Sequence, residues 1–256
     1  MRPAFLFLHG WACDSRVWDD AARELARGPA LNLDLPGHGR AATPWSAPGL
    51  EPAVRELLGS TGAGGPFVAV GWSLGAKVLI EAAAREPARF AALVLVGASP
   101  CFTRRRDFPW GQSAALVRRM IRDVERDPAA ALERFYPLCF TGEELASDGA
   151  RRFLSLYTGR KDRRDGASML AALRALDTAD LRRRLAAVEA PTLVVHGACD
   201  GVCPVGAGRF LAERLRRAEL AEIEGAGHAP FLTRPKEFME IMNKFLQHLD
   251  MTGLRQ

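Results

Sequence analysis

The sequence lacks any apolar run long enough to cross a membrane. Although 48% of its 256 residues are hydrophobic, no run approaches the roughly 18 residues of a membrane span. The first apolar run, Ala4–Leu8, is too short for the core of a signal peptide and is soon interrupted by His9-Gly10. We therefore expect a cytosolic protein that is long enough to bury one substantial core and has no membrane segment.

Cysteine is also scarce, with five residues in the chain. An odd count in a chain of ordinary size disfavours a disulfide framework and favours reduced thiols. Cys199 and Cys203 lie close together, but no second pair of ligands lies near them. We expect both to be small buried hydrophobic residues, and we predict no metal site.

The chain carries no acidic excess, and all of its net charge of +5 falls within residues 101–190. Most of these arginines are expected on solvated helix faces. A docking surface for an acidic partner is the more specific hypothesis. No nucleic-acid-binding motif accompanies the charge, so nucleic acid is not an expected partner.

Short apolar runs alternate with amphipathic helical stretches along the chain. Fully apolar runs of this kind are typical of buried strands in a parallel sheet. The runs are Ala4–Leu8, Ala30–Asp34, Phe67–Gly71, Ala92–Val96, Thr192–His196 and Ala218–Ile223. The alternation predicts a doubly wound α/β domain built from residues 1–100 and 191–256.

Residues 101–190 show helical periodicity and no convincing strand. Prolines stand between the helical stretches or at their edges. The predicted helices are Ala114–Arg126, Ala129–Tyr136, Gly149–Tyr157, Ala167–Leu176 and Leu181–Ala187. We therefore expect a helical cap inserted into the sheet domain.

The strongest local signal is Gly71-Trp72-Ser73-Leu74-Gly75, which lies between a predicted strand and a predicted helix. This context is typical of a nucleophile elbow, a turn so tight that the positions two residues either side of the serine have no room for a side chain. The serine stands at the positive end of a helix, where an oxyanion is stabilised. Ser73 is therefore the predicted nucleophile.

A serine hydroxyl needs an adjacent base, and five histidines are present. His228 lies in a glycine-flanked loop after the last predicted strand, which fits the chain order serine, acid, histidine. Asp200 follows the run Thr192–His196 and is the predicted acid, whose role is to accept the histidine Nδ1–H. Asp14 and Asp34 precede the serine and are predicted to be turn or capping residues.

An oxyanion hole requires two backbone N–H groups, one of them from the residue after the nucleophile. Leu74 would supply that group. Trp11, in the loop after the first predicted strand, would supply the second.

Six motifs taken together resemble those of the α/β-hydrolase superfamily. They are His9-Gly10-Trp11, Asp34 to Gly39, Gly71 to Gly75, Gly97 to Phe102, Asp200 to Pro204 and Gly227 to Phe231. Within the superfamily, the sequence is most similar to the esterases that cleave the methyl ester of pimeloyl-acyl carrier protein in biotin synthesis. That similarity depends on Trp11, Trp72, the Ser99 to Phe102 segment and the Leu132 to Phe135 helix.

We expect a monomer whose triad chemistry needs no metal or organic cofactor. The resemblance implies that it acts on an ester carried by an acyl carrier protein. It implies that Trp72 and Val202 border the ester alkoxy group. It places Phe135 against the acyl chain, and Phe102 also in the substrate site. The positions expected to face the carrier protein are Arg134, Arg151 and Arg152.

Two features depart from the family pattern. We expect the N-terminal hairpin usual in the superfamily to be absent or much reduced. Lys77 stands where the biotin-pathway esterases have an apolar residue, and the menaquinone-pathway carboxylate synthase, a lyase of the same fold, has a basic residue there. We expect Lys77 on the helix surface, and three alternatives stay open: this lyase, a general small-molecule carboxylesterase and a non-catalytic ligand-binding relative.

Overall fold

The computed structural model describes residues 3–26, 30–62, 64–159 and 165–251. Six strands form one sheet in the order β2-β1-β3-β4-β5-β6, and every pairing is parallel. The strands are β1 (Ala4–Leu8), β2 (Ala30–Leu33), β3 (Phe67–Trp72), β4 (Phe90–Val96), β5 (Thr192–Gly197) and β6 (Ala218–Ile223). The predicted parallel α/β sheet is confirmed, and no antiparallel strand precedes β1 among the described residues from Pro3 onward.

The burial of the central strands explains their sequences. Every residue of β3, β4 and β5 is buried, so apolar residues follow one another without alternation. The edge strands β2 and β6 keep partly exposed residues. Because the chain runs from β1 outward to β2 and then returns to β3 on the other side of β1, the strand order reverses between β1 and β3. Ligands of open α/β sheets bind at the carboxyl ends of the strands at such a point.

Helices connect the strands and cover the sheet. Helix α3 packs against β3 and β4, α8 packs against β5 and β6, and α2 packs against α3. None of the described helices is both long and apolar enough to cross a lipid bilayer. The helices are α1 (Asp19–Leu25), α2 (Glu51–Ser60), α3 (Leu74–Arg85), α4 (Ala114–Arg126), α5 (Pro128–Phe135), α6 (Asp148–Tyr157), α7 (Gly166–Thr178), α8 (Val205–Arg214), α9 (Pro230–Thr233) and α10 (Pro235–Met251).

We call residues 101–190, between β4 and β5, the inserted segment. Its described residues form α4 to α7 with short 3-10 turns, and they add no strand to the sheet. Each of the four helices begins at a side chain that accepts a backbone N–H, which satisfies one of the unpaired donors of the first turn. These capping residues are Ser113, Asp127, Ser147 and Asp165. The first four helices predicted for this segment are thus confirmed.

The helix predicted over Leu181–Ala187 is wrong. Only Leu185–Ala187 forms a short 3-10 turn. The N–H of Leu181 donates to the carbonyl of Pro100 at 2.9 Å, and Arg182 forms an ion pair with Asp180. These contacts outside any helix hold the segment, and periodicity within one stretch cannot reveal them.

Helix α3 is buried on all sides, and Lys77 is buried with it. Every residue from Leu74 to Ala83 is buried, because α3 packs against the sheet, α2 and the inserted segment. Lys77 is 1% exposed, so the expectation of a surface position is wrong. Its Nζ donates to the carbonyl of Leu176 in α7 at 3.3 Å, and burial lowers the pKa of Lys77 to about 8.

Two of the hydrogen bonds between the inserted segment and the core involve the loop after β1. Tyr136 Oη donates to the carbonyl of Ala12 at 2.7 Å, and Trp11 Nε1 donates to the carbonyl of Met169 at 2.8 Å. Tyr136 and Met169 belong to the inserted segment, whereas Ala12 and Trp11 lie in the loop after β1. The segment is therefore held against the carboxyl end of β1, beside the point where the strand order reverses.

Candidate active site

Ser73 lies on a strained turn between β3 and α3. Its φ is 54° and its ψ is −111°, a conformation that L side chains rarely adopt and that costs about 1–3 kcal/mol. The Ser73 N–H donates to the carbonyl of Val96 at 2.9 Å, which ties the turn to the end of β4. The serine is thereby held in place at the carboxyl edge of the sheet.

The glycines on either side of the serine permit close contacts between backbones. A Cβ atom at Gly71 would lie 2.6 Å from the backbone nitrogen of Ala76, and one at Gly75 would lie 2.5 Å from the carbonyl oxygen of Leu8. Both distances are far shorter than any real Cβ contact. The spacing of the motif therefore has a steric cause on both sides of the serine.

His228 and Asp200 come together from two different loops. Nδ1 of His228 lies 2.7 Å from Oδ2 of Asp200, and both side chains are buried. Because Nδ1 faces a carboxylate, it carries the proton of the neutral ring and leaves Nε2 with the free lone pair. The backbone of His228 is held on both sides: its N–H donates to the carbonyl of Cys139, and its carbonyl accepts from Trp72 Nε1, each at 2.8 Å.

Asp200 accepts hydrogen bonds through both carboxylate oxygens. Oδ1 accepts the N–H groups of Val202 and Cys203, each at 2.8 Å. Oδ2 lies 3.4 Å from Nε2 of His196, in addition to its contact with His228. Burial alone would raise the pKa of Asp200, but the two histidines outweigh it and hold that pKa well below its usual range. Asp200 is therefore ionised at neutral pH.

Ser73 and His228 line one cavity. Its wall is mainly apolar. The Trp11 and Phe135 rings pack edge to face in this wall, with their centroids 5.0 Å apart. The predicted substrate residues found in the wall are Trp72, Phe102, Phe135 and Val202, and Trp11, predicted for the oxyanion hole, lines it as well. Met120, Leu173 and Leu176 also line the cavity and were not predicted, because an apolar residue on a helical stripe has the same pattern in a pocket wall as in the core.

The two residues predicted for the oxyanion hole lie beside the serine. Leu74 is the first residue of α3, where a backbone N–H has no carbonyl partner within its own helix. Trp11 lies in the cavity wall, in the loop after β1. A Cβ atom at Gly10 would lie 2.8 Å from the Trp72 ring, so this loop and the elbow pack closely together.

The three arginines predicted to face a carrier protein lie on the inserted segment and do not line the cavity. Their side chains are 52%, 63% and 70% exposed, and a carboxylate lies near each of them. The pairs are Arg134 with Asp123 at 3.6 Å, Arg151 with Asp148 at 2.7 Å and Arg152 with Asp20 at 3.9 Å.

Two polar side chains of the inserted segment reach the loops that carry the acid and the histidine, and the sequence analysis missed both. Gln112 Nε2 donates to the carbonyls of Gly201 at 2.7 Å and Val202 at 2.9 Å. Glu144 accepts the N–H of Gly227 at 2.8 Å. Their partners are 83 to 90 positions away in sequence, so no local pattern marks either residue.

Among the described residues, no group of three or more His, Cys, Asp or Glu side chains is arranged to hold a metal ion. Cys203 is buried as expected. Cys199 is exposed, so its predicted burial is wrong. It lies in the loop that leaves β5, where the backbone turns at the surface.

The fold and the site define the class of protein. The chain matches the alpha/beta hydrolase family over residues 5–241. Its fold is similar to that of an esterase (EaEST) from Exiguobacterium antarcticum, with a TM-score of 0.84 and 22% identity over 96% of this chain and 92% of that one. This protein belongs to the α/β hydrolase family, as its motifs predicted.

Two curated relatives narrow this assignment. The chain is 36% identical over 240 residues to a pimeloyl-[acyl-carrier protein] methyl ester esterase of Nitrosomonas europaea, with 93% of each chain covered. It is also 36% identical over 242 residues to the protein of the same name from Aromatoleum aromaticum, covering 92% of this chain and 95% of that one. The predicted resemblance to this esterase family is confirmed over nearly the whole chain.

Proposed function

We propose that this protein is a serine carboxylester hydrolase that removes the methyl ester from the pimeloyl group of an acyl carrier protein. The observation that carries the proposal is the 2.7 Å contact of Asp200 with His228, which lines the same cavity as the strained Ser73. The names of the relatives support the choice of substrate.

In the first half of the reaction, Ser73 Oγ attacks the ester carbonyl carbon while His228 Nε2 takes the hydroxyl proton. Ionised Asp200 stabilises the imidazolium that forms. The N–H groups of Trp11 and Leu74 are the donors we assign to the oxyanion. When the intermediate collapses, the bond from the carbonyl carbon to the methoxy oxygen breaks, and the imidazolium proton passes to the leaving oxygen as methanol departs.

In the second half, water attacks the acyl-enzyme carbonyl while His228 takes a proton from that water. Collapse returns that proton to Ser73 Oγ and releases the acyl group as a carboxylic acid, which then loses its proton to solvent. The chemistry needs one ester and one water and yields one methanol and one acid. The chain's own residues supply every proton transfer.

The cavity wall suits the two ends of such an ester. We assign Trp72 and Val202 to the methoxy side, and Phe135 and Phe102 to the methylene chain, because these side chains offer an apolar surface. We propose further that the inserted segment acts as a cap, with its exposed Arg134, Arg151 and Arg152 facing the acidic carrier protein.

The lyase hypothesis required Lys77 to bind a substrate carboxylate. Its Nζ instead donates to the Leu176 carbonyl, and Lys77 is not among the residues that line the cavity. We therefore do not propose the lyase.

The proposal is tested with purified protein and methyl pimeloyl-carrier protein, by following methanol release. Wild type should release one methanol per ester, whereas Ser73→Ala should show no more than a trace of wild-type kcat with an unchanged unfolding temperature. Ser60→Ala, at the exposed end of α2, is the matched control and should retain full activity. Turnover by Ser73→Ala would remove the nucleophile assignment. Equal kcat/KM for free methyl esters and for the carrier-bound ester would leave a general small-molecule carboxylesterase.

A further inference from the structure

Glu144 is a buried carboxylate for which the reaction steps give no role. It begins the 3-10 turn Glu144–Ala146 of the inserted segment, and it is 1% exposed. No ion pair among the described residues involves it. Because a buried charge without partners is costly, its hydrogen bonds indicate what it does.

The Glu144 carboxylate accepts three hydrogen bonds from three parts of the chain. Oε2 accepts the N–H of Gly227 at 2.8 Å and the N–H of Thr141 at 2.9 Å. Oε1 accepts the hydroxyl of Thr233 at the end of α9. One side chain of the inserted segment therefore joins the residue before His228 to the helix that follows it.

The close approach of Glu144 depends on glycine at position 227. A Cβ atom there would lie 2.7 Å from Glu144 Oε2 and 2.8 Å from the carbonyl oxygen of Cys139. The next N–H along the loop, that of His228, donates to the same Cys139 carbonyl at 2.8 Å. Two successive N–H groups of the histidine loop are thus held by the inserted segment.

We propose that Glu144 is a positioning residue that holds the His228 imidazole in line with Asp200 and Ser73. This inference rests on the proposed function, since it assigns His228 the role of general base. Two bonds fix the backbone of His228 itself. The peptide that joins Ala226 to Gly227 is held by Glu144 at its N–H and by the Cys199 N–H at its carbonyl, at 2.9 Å. This loop also contains Gly225 with a φ of 68°, so the bond to Glu144 restrains a flexible stretch of backbone. A glycine-rich loop that loses this bond gains backbone freedom, and a shift of about 1 Å in a reacting group can cost about 100-fold in rate.

A series of substitutions separates the position of the carboxylate from its charge. Glu144→Ala leaves the Gly227 and Thr141 N–H groups without their acceptor. Glu144→Asp keeps the charge but withdraws the oxygens by one methylene. Glu144→Gln keeps an oxygen for both N–H groups, and its NH₂ group can donate to the Thr233 hydroxyl, which is able to accept.

The experiment measures kcat and KM for a free aryl ester, together with the unfolding temperature. We expect kcat to fall at least tenfold in Glu144→Ala and by an intermediate factor in Glu144→Asp, with KM within twofold of wild type. Glu144→Gln should recover kcat to within about threefold of wild type. Glu143→Ala, at the exposed neighbouring position, is the matched control and should match wild type.

Wild-type kcat in Glu144→Ala would overturn the proposal, as would equal losses in Glu144→Asp and Glu144→Gln, or a loss that only tracks the unfolded fraction. If Glu144→Ala does not fold, the Glu144→Asp and Glu144→Gln pair decides. Ser73→Ala is assayed in parallel. If Ser73→Ala is inactive while the Glu144 series matches wild type, only this inference fails, whereas an active Ser73→Ala removes the proposed function itself.

Discussion

The two carboxylate oxygens of Asp200 have different hydrogen-bond partners. Oδ1 is occupied by the Val202 and Cys203 N–H groups, so Oδ2 is left to face the histidines. In Asp200→Asn, the amide oxygen has to serve the two backbone donors, which places the NH₂ group opposite His228 Nδ1. That group donates, so it favours the tautomer with the proton on Nε2, where a base needs a lone pair.

We predict that Asp200→Asn lowers kcat by about 10⁴ and leaves KM nearly unchanged. Steady-state kinetics on an aryl ester would measure both. Asp177→Asn and Asp180→Asn are controls, because these carboxylates contact Thr103 and Arg182 instead. A near-normal kcat in Asp200→Asn, with a loss in either control, would transfer the acid to the inserted segment.

Lys77 gives a prediction on stability instead of rate. Its pKa is about 8 in the folded protein and near the ordinary 10.5 in the unfolded chain, because burial penalises the charged form. Between these values the unfolded chain binds more protons, so the lysine's contribution to the free energy of unfolding rises as the pH rises from about 8 to about 10.5. Below pH 8 both states are protonated, and the whole penalty is present.

We predict that Lys77→Met is more stable than wild type by about 2 kcal/mol at pH 7. A pKa lowered from 10.5 to about 8 corresponds to a destabilisation of about 3 kcal/mol, which the substitution removes. The variant also loses the hydrogen bond to Leu176, which offsets about 1 kcal/mol of that gain. Urea unfolding at pH 7 and pH 10 would measure the difference, which should shrink at the higher pH. A constant difference, or a destabilised variant at pH 7, would contradict the prediction.

At the scale of elements, the sequence predicted the sheet far better than the burial of its helices. Strands such as β3 and β4 are buried on both faces, so an uninterrupted apolar run identifies them. The surface position expected for Lys77 in helix α3 is wrong, although Leu74 to Ala83 is apolar nearly all round. A helix of that composition is a buried helix, and this signal could have corrected the surface expectation.

The candidate site shows the same limit. Ser73, His228 and Asp200 lie in local motifs whose spacing follows from turn geometry and chain order. They could therefore be predicted from the sequence. Gln112 and Glu144 act through hydrogen bonds to backbone groups of distant loops. More than one residue type can form such a bond, so the local sequence does not mark these positions, and only the folded arrangement brings the side chains there.

Gln112 provides a prediction for the junction between the inserted segment and the loop after β5. Its NH₂ group donates to the carbonyls of Gly201 and Val202, and Val202 lines the cavity. We predict that Gln112→Ala lowers kcat/KM about tenfold, because a small shift of this loop moves both the acid and the cavity wall. Gln112→Glu should be worse, since its carboxylate would face two carbonyl oxygens with no proton between them.

Aryl ester kinetics would measure both variants. Gln247→Ala, at an exposed position of α10, is the control and should be neutral. Equal kcat/KM for wild type and both Gln112 variants would show that the loop is held in place without this side chain.

At the scale of the whole molecule, the charge distribution is uneven, because residues 101–190 hold the entire net charge of +5. An exposed ion pair contributes only about 0–1 kcal/mol. The ion pairs of Arg134, Arg151 and Arg152 therefore contribute little to stability, and these guanidinium groups are able to bind an acidic partner. An approaching acidic surface can attract them over about 10 Å at 0.1 M salt, and more weakly as salt is added.

We predict that the triple variant Arg134→Glu, Arg151→Glu, Arg152→Glu has a kcat/KM for the carrier-bound methyl ester at least tenfold lower than wild type. Its kcat/KM for a free aryl ester should equal that of wild type. The loss should fall on the association step, since charge complementarity acts mainly on encounter. Wild-type kcat/KM for the carrier-bound substrate should also decline with salt. The control is Arg214→Glu, Arg216→Glu, Arg217→Glu, which makes the same change of charge at exposed positions outside the inserted segment.

The control distinguishes a local docking surface from the effect of net charge. If both triple variants lose activity equally on the carrier-bound ester, the overall field of the protein attracts the partner and no particular face is used. If the first variant loses activity on the aryl ester as well, the arginines act on the cavity through α5 and α6 and not on a carrier. Loss confined to the carrier-bound ester and to the first variant is the result that a docking face on the inserted segment requires, because only that face would meet the acidic partner as its acyl chain enters the cavity.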